Sequence, residues 1–101
     1  MKIVYDWNPS KAASNQLKHG VSFETATRVF LDSHFISEIE SFVDGEERWQ
    51  TIGLVDGVLM LTVVHTTYDE IDTEYIRIIS ARRATPHERA KYERENRSLR
   101  H

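Results

Sequence analysis

The chain contains no cysteine. No disulfide supports its fold, and thiol chemistry and Cys-based zinc sites are excluded. Proline occurs only at Pro9 and Pro86, each just after a residue suited to capping a helix. Glycine is scarce, and Gly20, Gly45 and Gly57 stand where a helix end or a tight turn is expected. No stretch approaches the roughly 20 apolar residues of a membrane span; the longest run, Val58 to Val64, suits a buried strand. The first residues, Met1 to Trp7, lack the apolar core and cleavage site of a signal peptide, so no membrane association and a cytoplasmic location are expected.

The 101 residues suit a single domain, since one core closes over roughly 50 to 200 residues. Net charge is −3, which disfavours an indiscriminate nucleic-acid binder. The charge is unevenly spread. Residues 1–74 hold five Lys and Arg against thirteen Asp and Glu, a balance of −8, whereas residues 75–101 hold eight against three, a balance of +5. The basic part can meet a phosphate backbone or an acidic partner, or can simply be a solvated helix face.

Lys2 to Asp6 alternates in the manner of a short strand. Asn8-Pro9 starts a helix that runs through Lys18-His19 and stops at Gly20. Ser22 caps a second helix with an apolar stripe of Phe23, Ala26, Val29 and Phe30. The pattern then turns to strands: Phe35 to Phe42, Arg48 to Val55 and Val58 to Thr66, with turns at Asp44-Gly45 and Asp56-Gly57. Tyr68 to Thr73 reads as an acidic loop before a strand from Glu74 to Arg82. Thr85-Pro86-His87-Glu88 forms a capping box ahead of a polar helix that ends near Arg97. The order predicts an α+β fold: a short strand, two helices, an antiparallel meander and a C-terminal helix.

Three groups of residues resemble the BrnT family. They are Tyr5-Asp6-Trp7-Asn8-Pro9 with Lys11, Asn15 and Lys18 to Phe23; Glu46-Glu47-Arg48 with Thr51-Ile52-Gly53; and Val63 to Thr66 with Ile76 to Arg82, Glu88 and Tyr92-Glu93. They span nearly the whole chain in the family's order. The resemblance implies a RelE-like fold and a ribonuclease toxin that cleaves RNA and inhibits translation. It also implies neutralisation by a BrnA-type ribbon-helix-helix antitoxin, with two toxins around an antitoxin dimer and operator DNA reached only through the antitoxin. Two departures stand out. Asn8 replaces the family's usual Asp, an exchange of one helix cap for another, and the stretch Thr67 to Thr73 is longer and more acidic than usual.

Metal-independent RNA cleavage by the 2′-hydroxyl needs a base, an acid and cations at phosphorus. Histidine suits the proton transfers and arginine the phosphate. His19, at a helix end, either moves protons or interacts with the terminal carbonyls. His65, at the end of the central strand, either lines a cleft or bonds to a loop. Arg77 interrupts an apolar strand and should face away from the core. Arg48 begins a strand, and Arg82 and Arg83 end one, so all three can reach phosphate; Arg48 can equally pair with Glu46-Glu47. With the resemblance, the catalytic candidates are His19, His65, Arg77, Arg48 and Arg82, and Lys18 and Arg83 are RNA-binding candidates. Trp7, Phe23, Phe30 and Trp49 can in principle stack on bases, but their spacing favours the core. The histidines show no paired ligand spacing, so neither metal nor cofactor is expected. The acidic net charge keeps a second reading open, a catalytically degenerate toxin that acts with its antitoxin as a binding module and co-repressor.

Overall fold

A computed structural model of the chain describes residues 1–97; Arg100 and His101, at the end of the basic stretch, lie outside the described residues. The chain forms β1 (Lys2–Asp6), α1 (Pro9–His19), α2 (Phe23–Ala26) continued by a 3-10 turn (Thr27–Leu31), β2 (Ile36–Val43), β3 (Glu46–Val55), β4 (Leu59–Glu70), β5 (Thr73–Arg83) and α3 (Pro86–Arg97). The helix boundaries follow local chemistry. Asn8 Oδ1 accepts from the amides of Ser10 and Lys11 at 2.9 and 3.1 Å, which satisfies donors that the first helical turn leaves unpaired. Gly20 ends α1 at φ 69° and returns its N–H to the Gln16 carbonyl, a left-handed conformation that glycine adopts without strain. The Ser22 side chain accepts from the Thr25 amide.

The second helix is shorter than its stripe suggests, because the chain tightens to 3-10 geometry at Thr27. The stripe itself is buried: Phe23, Ala26 and Val29 are all fully covered. Together with Val21 they pack on Val55, Leu61, Val63, Ile76, Ile78 and Ala81. α1 and α2 therefore cover one face of the sheet. Burying a side chain the size of Phe23 contributes about 2 to 3 kcal/mol.

The strands form one five-stranded sheet in the order β1-β5-β4-β3-β2. β2 to β5 make the expected antiparallel meander, but β1 joins parallel to β5, from Lys2 opposite Thr73 to Asp6 opposite Arg77. The sheet is mixed, a correction to the antiparallel expectation. The helices carry the chain from the β1 edge of the sheet to the β2 edge, so the meander's last strand, β5, returns beside β1, a neighbour that local pattern does not reveal.

A second correction concerns Tyr68 to Thr73. It is no loop: β4 runs to Glu70 and β5 starts at Thr73, joined by a tight turn in which Asp72 takes φ 62°. Tyr68 stands directly opposite Tyr75, and their rings stack at 4.9 Å. A cross-strand aromatic pair of this kind favours the ladder over a loop.

Gly53 sits where β3 passes under the 3-10 turn. A Cβ there would lie 3.0 Å from the Val29 carbonyl oxygen and 3.3 Å from Phe35 Cβ, so only glycine allows so close an approach. On the opposite face α3 covers one end alone, with Tyr92 packed against Ile52 and Met60. Polar anchors add to this small contact: Tyr92 donates to Asp32 at 2.7 Å and Asn96 to the His34 carbonyl at 3.0 Å.

Candidate functional site

Strand alternation divides the candidate residues between the two faces of the sheet. Arg77 lies between Ile76 and Ile78, both buried under the helices, and so projects from the opposite, open face. Its register partners are Asp6 on β1 and Thr66 on β4. Arg77 Nη1 lies 3.1 Å from Asp6 Oδ2, with both side chains half exposed, so the pair is weak and exchangeable. Arg48 precedes Trp49, which stands opposite His65 in the helix-side layer; Arg48 thus shares the open face with Thr66 and Arg77. Arg48 Nε is sealed from solvent without a hydrogen-bond partner, an unspent donor that carries a cost unless something accepts from it. Tyr68 and Tyr75, two residues further along their strands, add an aromatic pair to the same face.

Arg82 is on this face too, but Glu88 occupies its guanidinium. Arg82 Nη1 and Nη2 donate to Glu88 Oε1 and Oε2 at 2.7 and 2.9 Å. Thr62 and Gln50 donate to the same carboxylate, and Thr85 exchanges capping-box bonds with Glu88. The Arg82 hydrogen bonds outweigh desolvation and hold the Glu88 carboxyl down at about 2, well below the usual carboxylate range. One carboxylate thus engages two donors of the planar guanidinium fork. Arg82 fastens α3 to the sheet through Glu88.

His65 lies on the helix side. Its Nε2 is 2.7 Å from Thr51 Oγ1, its ring meets Phe30 edge-on at 5.0 Å, and it is 4% exposed. Burial pushes its pKa down to about 4, only partly offset by the Thr66 backbone. The ring is therefore neutral at pH 7, a weak base, and on the face opposite Arg77. His19 and Lys18 sit in the last turn of α1, which also packs on the helix side. Arg83 alternates away from Arg82 and pairs with Leu61, again leaving the open face. The structure thus places Arg48 and Arg77 on one face, on the strands either side of β4, and separates both from His19, His65, Lys18 and Arg83.

The His65 environment predicts a pH effect on stability. Its folded pKa lies below the unfolded value of 6.5, so the unfolded chain takes up a proton that the folded chain refuses. Stability present above pH 6.5 is lost as pH falls toward 4, by up to about 3 kcal/mol. Urea unfolding midpoints measured from pH 7 to 4 should fall accordingly, and His65→Gln should flatten the fall. An unchanged slope in that variant would show that His65 is not the responsible group.

Sequence reading missed Asp6, Thr66, Gln50 and the tyrosine pair as members of the open face. Counting in twos from Arg77 reaches Tyr75, but the cross-strand partners depend on a register that sequence leaves undetermined. The bulge between Val64 and His65 shifts that register by one residue. A separate cavity of about 410 Å³ lies between the 3-10 turn, β3 and α3. Its central group, Asp32, already accepts from Leu54 N, His34 N and Tyr92 Oη, so that carboxylate is engaged within the fold. Among the described residues no three His, Asp or Glu side chains gather in a metal-binding group, and no helix is long and apolar enough to cross a membrane.

Comparison with known proteins gives this face a context. Superposed on the 1.1 Å crystal structure of the Brucella abortus ribonuclease toxin BrnT, the chain reaches a TM-score of 0.59 at 22% identity, covering 84% of this chain and 99% of that one. At that identity the match shows a shared fold. A search of curated proteins finds no relative. A family model described as "Ribonuclease toxin, BrnT, of type II toxin-antitoxin system" matches residues 7–88. The chain therefore belongs to the BrnT family of ribonuclease toxins of type II toxin–antitoxin systems.

Proposed function

We propose that this chain is a metal-independent endoribonuclease that inhibits translation, and that RNA is bound and cut on the open face of the sheet. The observation that carries this reading is that Arg48 and Arg77 lie on the same open face, on the two strands flanking Thr66, and that Arg77's partner Asp6 is exposed and readily displaced. Two guanidiniums on one open face suit a phosphodiester, because the charge that grows on its oxygens in the transition state is what they bind best.

The 2′-oxygen attacks phosphorus, the bond to O5′ breaks, and the products are a 2′,3′-cyclic phosphate and a 5′-hydroxyl. Arg48 and Arg77 hold the nonbridging oxygens. When phosphate draws Arg77 away, Asp6 is released at the same spot and takes the proton of the 2′-hydroxyl; solvent protonates O5′. The proton-transfer roles first considered for His19 and His65 pass to this face, since neither histidine shares it. Tyr68 and Tyr75 offer rings on which an unpaired base can stack. We place the fold among RelE-like toxins, working in the cytoplasm and neutralised by a BrnA-type antitoxin dimer that holds two toxins.

A second reading is favoured by one feature. The hairpin tip beside the tyrosines carries Asp69, Glu70, Asp72 and Glu74, which repel RNA and suit a degenerate toxin that only co-represses. Expression of the chain alone separates the two. Growth arrest, together with cyclic-phosphate RNA ends produced by antitoxin-free protein in EDTA, supports the nuclease. Soluble protein with neither arrest nor cleavage rejects it in favour of the co-repressor.

A further inference from the structure

The helix side of the sheet is not fully covered. Beyond Phe30, where the helical layer ends, an apolar hollow of about 260 Å³ opens between Ile3, Phe35, Trp49 and Ile76, with Glu74 at its lip. Its hydroxyls are already engaged: Ser37 bonds with Thr51 at 2.5 Å, and Thr67 donates to Glu74 at 3.0 Å. Beside the apolar wall, the hollow offers a ligand the Glu74 carboxylate and the edge of His65, whose buried Nδ1 has no hydrogen-bond partner. The same face carries further exposed apolar side chains beyond the hollow, Ile39 opposite Trp49 and Phe42 opposite Glu47, which are 44% and 65% exposed.

The charge around this hollow has one sign. Asp69 stands opposite Glu74 at one end, and Glu47 stands opposite Phe42 at the other. The nearby cations, Lys2, Arg48 and Arg77, alternate to the other face of their strands. A second copy of this chain would bring its own acidic strands to the contact. A basic partner segment meets no such opposition.

We infer that the hollow is an anchoring site for the antitoxin, taking a bulky apolar side chain flanked by Lys or Arg. This rests on the toxin–antitoxin reading and adds the place and chemistry of the contact. The site lies on the face opposite Arg48 and Arg77, so it secures the antitoxin without itself covering the phosphate-binding arginines. A buried apolar anchor inside a charged rim is the arrangement in which a few residues dominate affinity.

The test measures affinity of the full chain for its cognate antitoxin by calorimetry, and for 15-residue peptides tiling that antitoxin. Ile3→Lys and Glu74→Lys place positive charge at the hollow. Leu17→Lys, at a 91% exposed apolar position on α1, is the control, and thermal melts confirm that each variant is folded. The expected result is binding weakened about tenfold or more by each hollow variant at low salt, little change for the control, and one binding peptide with an apolar residue beside Lys or Arg. Wild-type binding that neither hollow variant weakens overturns the anchoring site while leaving the toxin–antitoxin reading intact. No binding of the antitoxin by wild type overturns both. A wild-type dimer that the hollow variants dissociate would assign the surface to a second copy instead.

Discussion

Replacing Arg48 and Arg77 together by alanine is expected to lower RNA cleavage by about a thousandfold or more, with little loss of stability. Removing one preorganised donor from a developing oxyanion typically costs a factor of about 10² to 10³. The two arginines act on one phosphate, so their effects should fall short of simple multiplication. Neither side chain belongs to the core, and the Arg48 change removes a sealed donor that has no partner. Arg77→Lys should keep the charge but lose the fork, and recover only part of the rate. Cleavage rates at saturating RNA, read beside urea midpoints, check this. A double variant that cuts RNA at the wild-type rate would move the chemistry elsewhere on the molecule.

The largest expected effect on folding comes from Asn15→Ala, at about 2 to 4 kcal/mol. β1 covers only the first half of the β5 edge, as far as Arg77. Beyond it, Asn15 of α1 stands in for the missing strand: its Oδ1 accepts from Ala81 N at 3.1 Å, and its Nδ2 donates to Ala81 O at 2.8 Å and to Val21 O at 3.2 Å. All three bonds are buried, and alanine would leave the backbone groups of Ala81 unpaired in the core, where each carries its own desolvation penalty. Asn15→Asp should fare little better, since a carboxylate cannot donate to two carbonyls. Chemical denaturation is the check, with RNA cleavage per folded molecule unchanged. A loss under about 1 kcal/mol would mean that water or a strand shift replaces the amide.

This strap shows which parts of the fold local sequence expresses. Asn8, Pro9, Gly20 and Ser22 act within a few residues of themselves, through caps and one left-handed turn, and each does in the structure what its type and position foretold. The stripe of Phe23, Ala26 and Val29 names its own buried face. The roles of Asn15 and Glu88 depend instead on distant partners. Asn15 bonds Ala81 across 66 residues. Glu88 was legible as half of a capping box, but its hold on Arg82 arises only when α3 folds back over the sheet. The parallel pairing of β1 with β5 was hidden for the same reason.

His65 is the more instructive residue. Leu61, Val63 and His65 fall on one face by alternation, and that face is the core, so the ring's burial could have been read from the strand. Because β4 is apolar on both faces, the core side was not marked. The bulge at Val64/His65 then separated His65 from the face that Arg77 presents. Of the proposed catalytic set, Arg77 was legible as a charge out of place in an apolar strand, and Arg48 as a cation at the start of one. Their grouping was not, because only the register sets Arg48 and Arg77 on the same open face across β4.

The most direct test of that grouping is an NMR titration of the antitoxin-free protein with a short RNA blocked at its 2′-hydroxyls, following backbone amides and the arginine Nε–H signals. The predicted result is that shifts concentrate at Arg48, Thr66, Arg77 and the Tyr68/Tyr75 pair, with the Arg48 Nε–H moving as it gains an acceptor. Shifts confined to the His19 and His65 side, or none at Arg48 and Arg77 at saturating RNA, would contradict the assignment of the open sheet face to RNA.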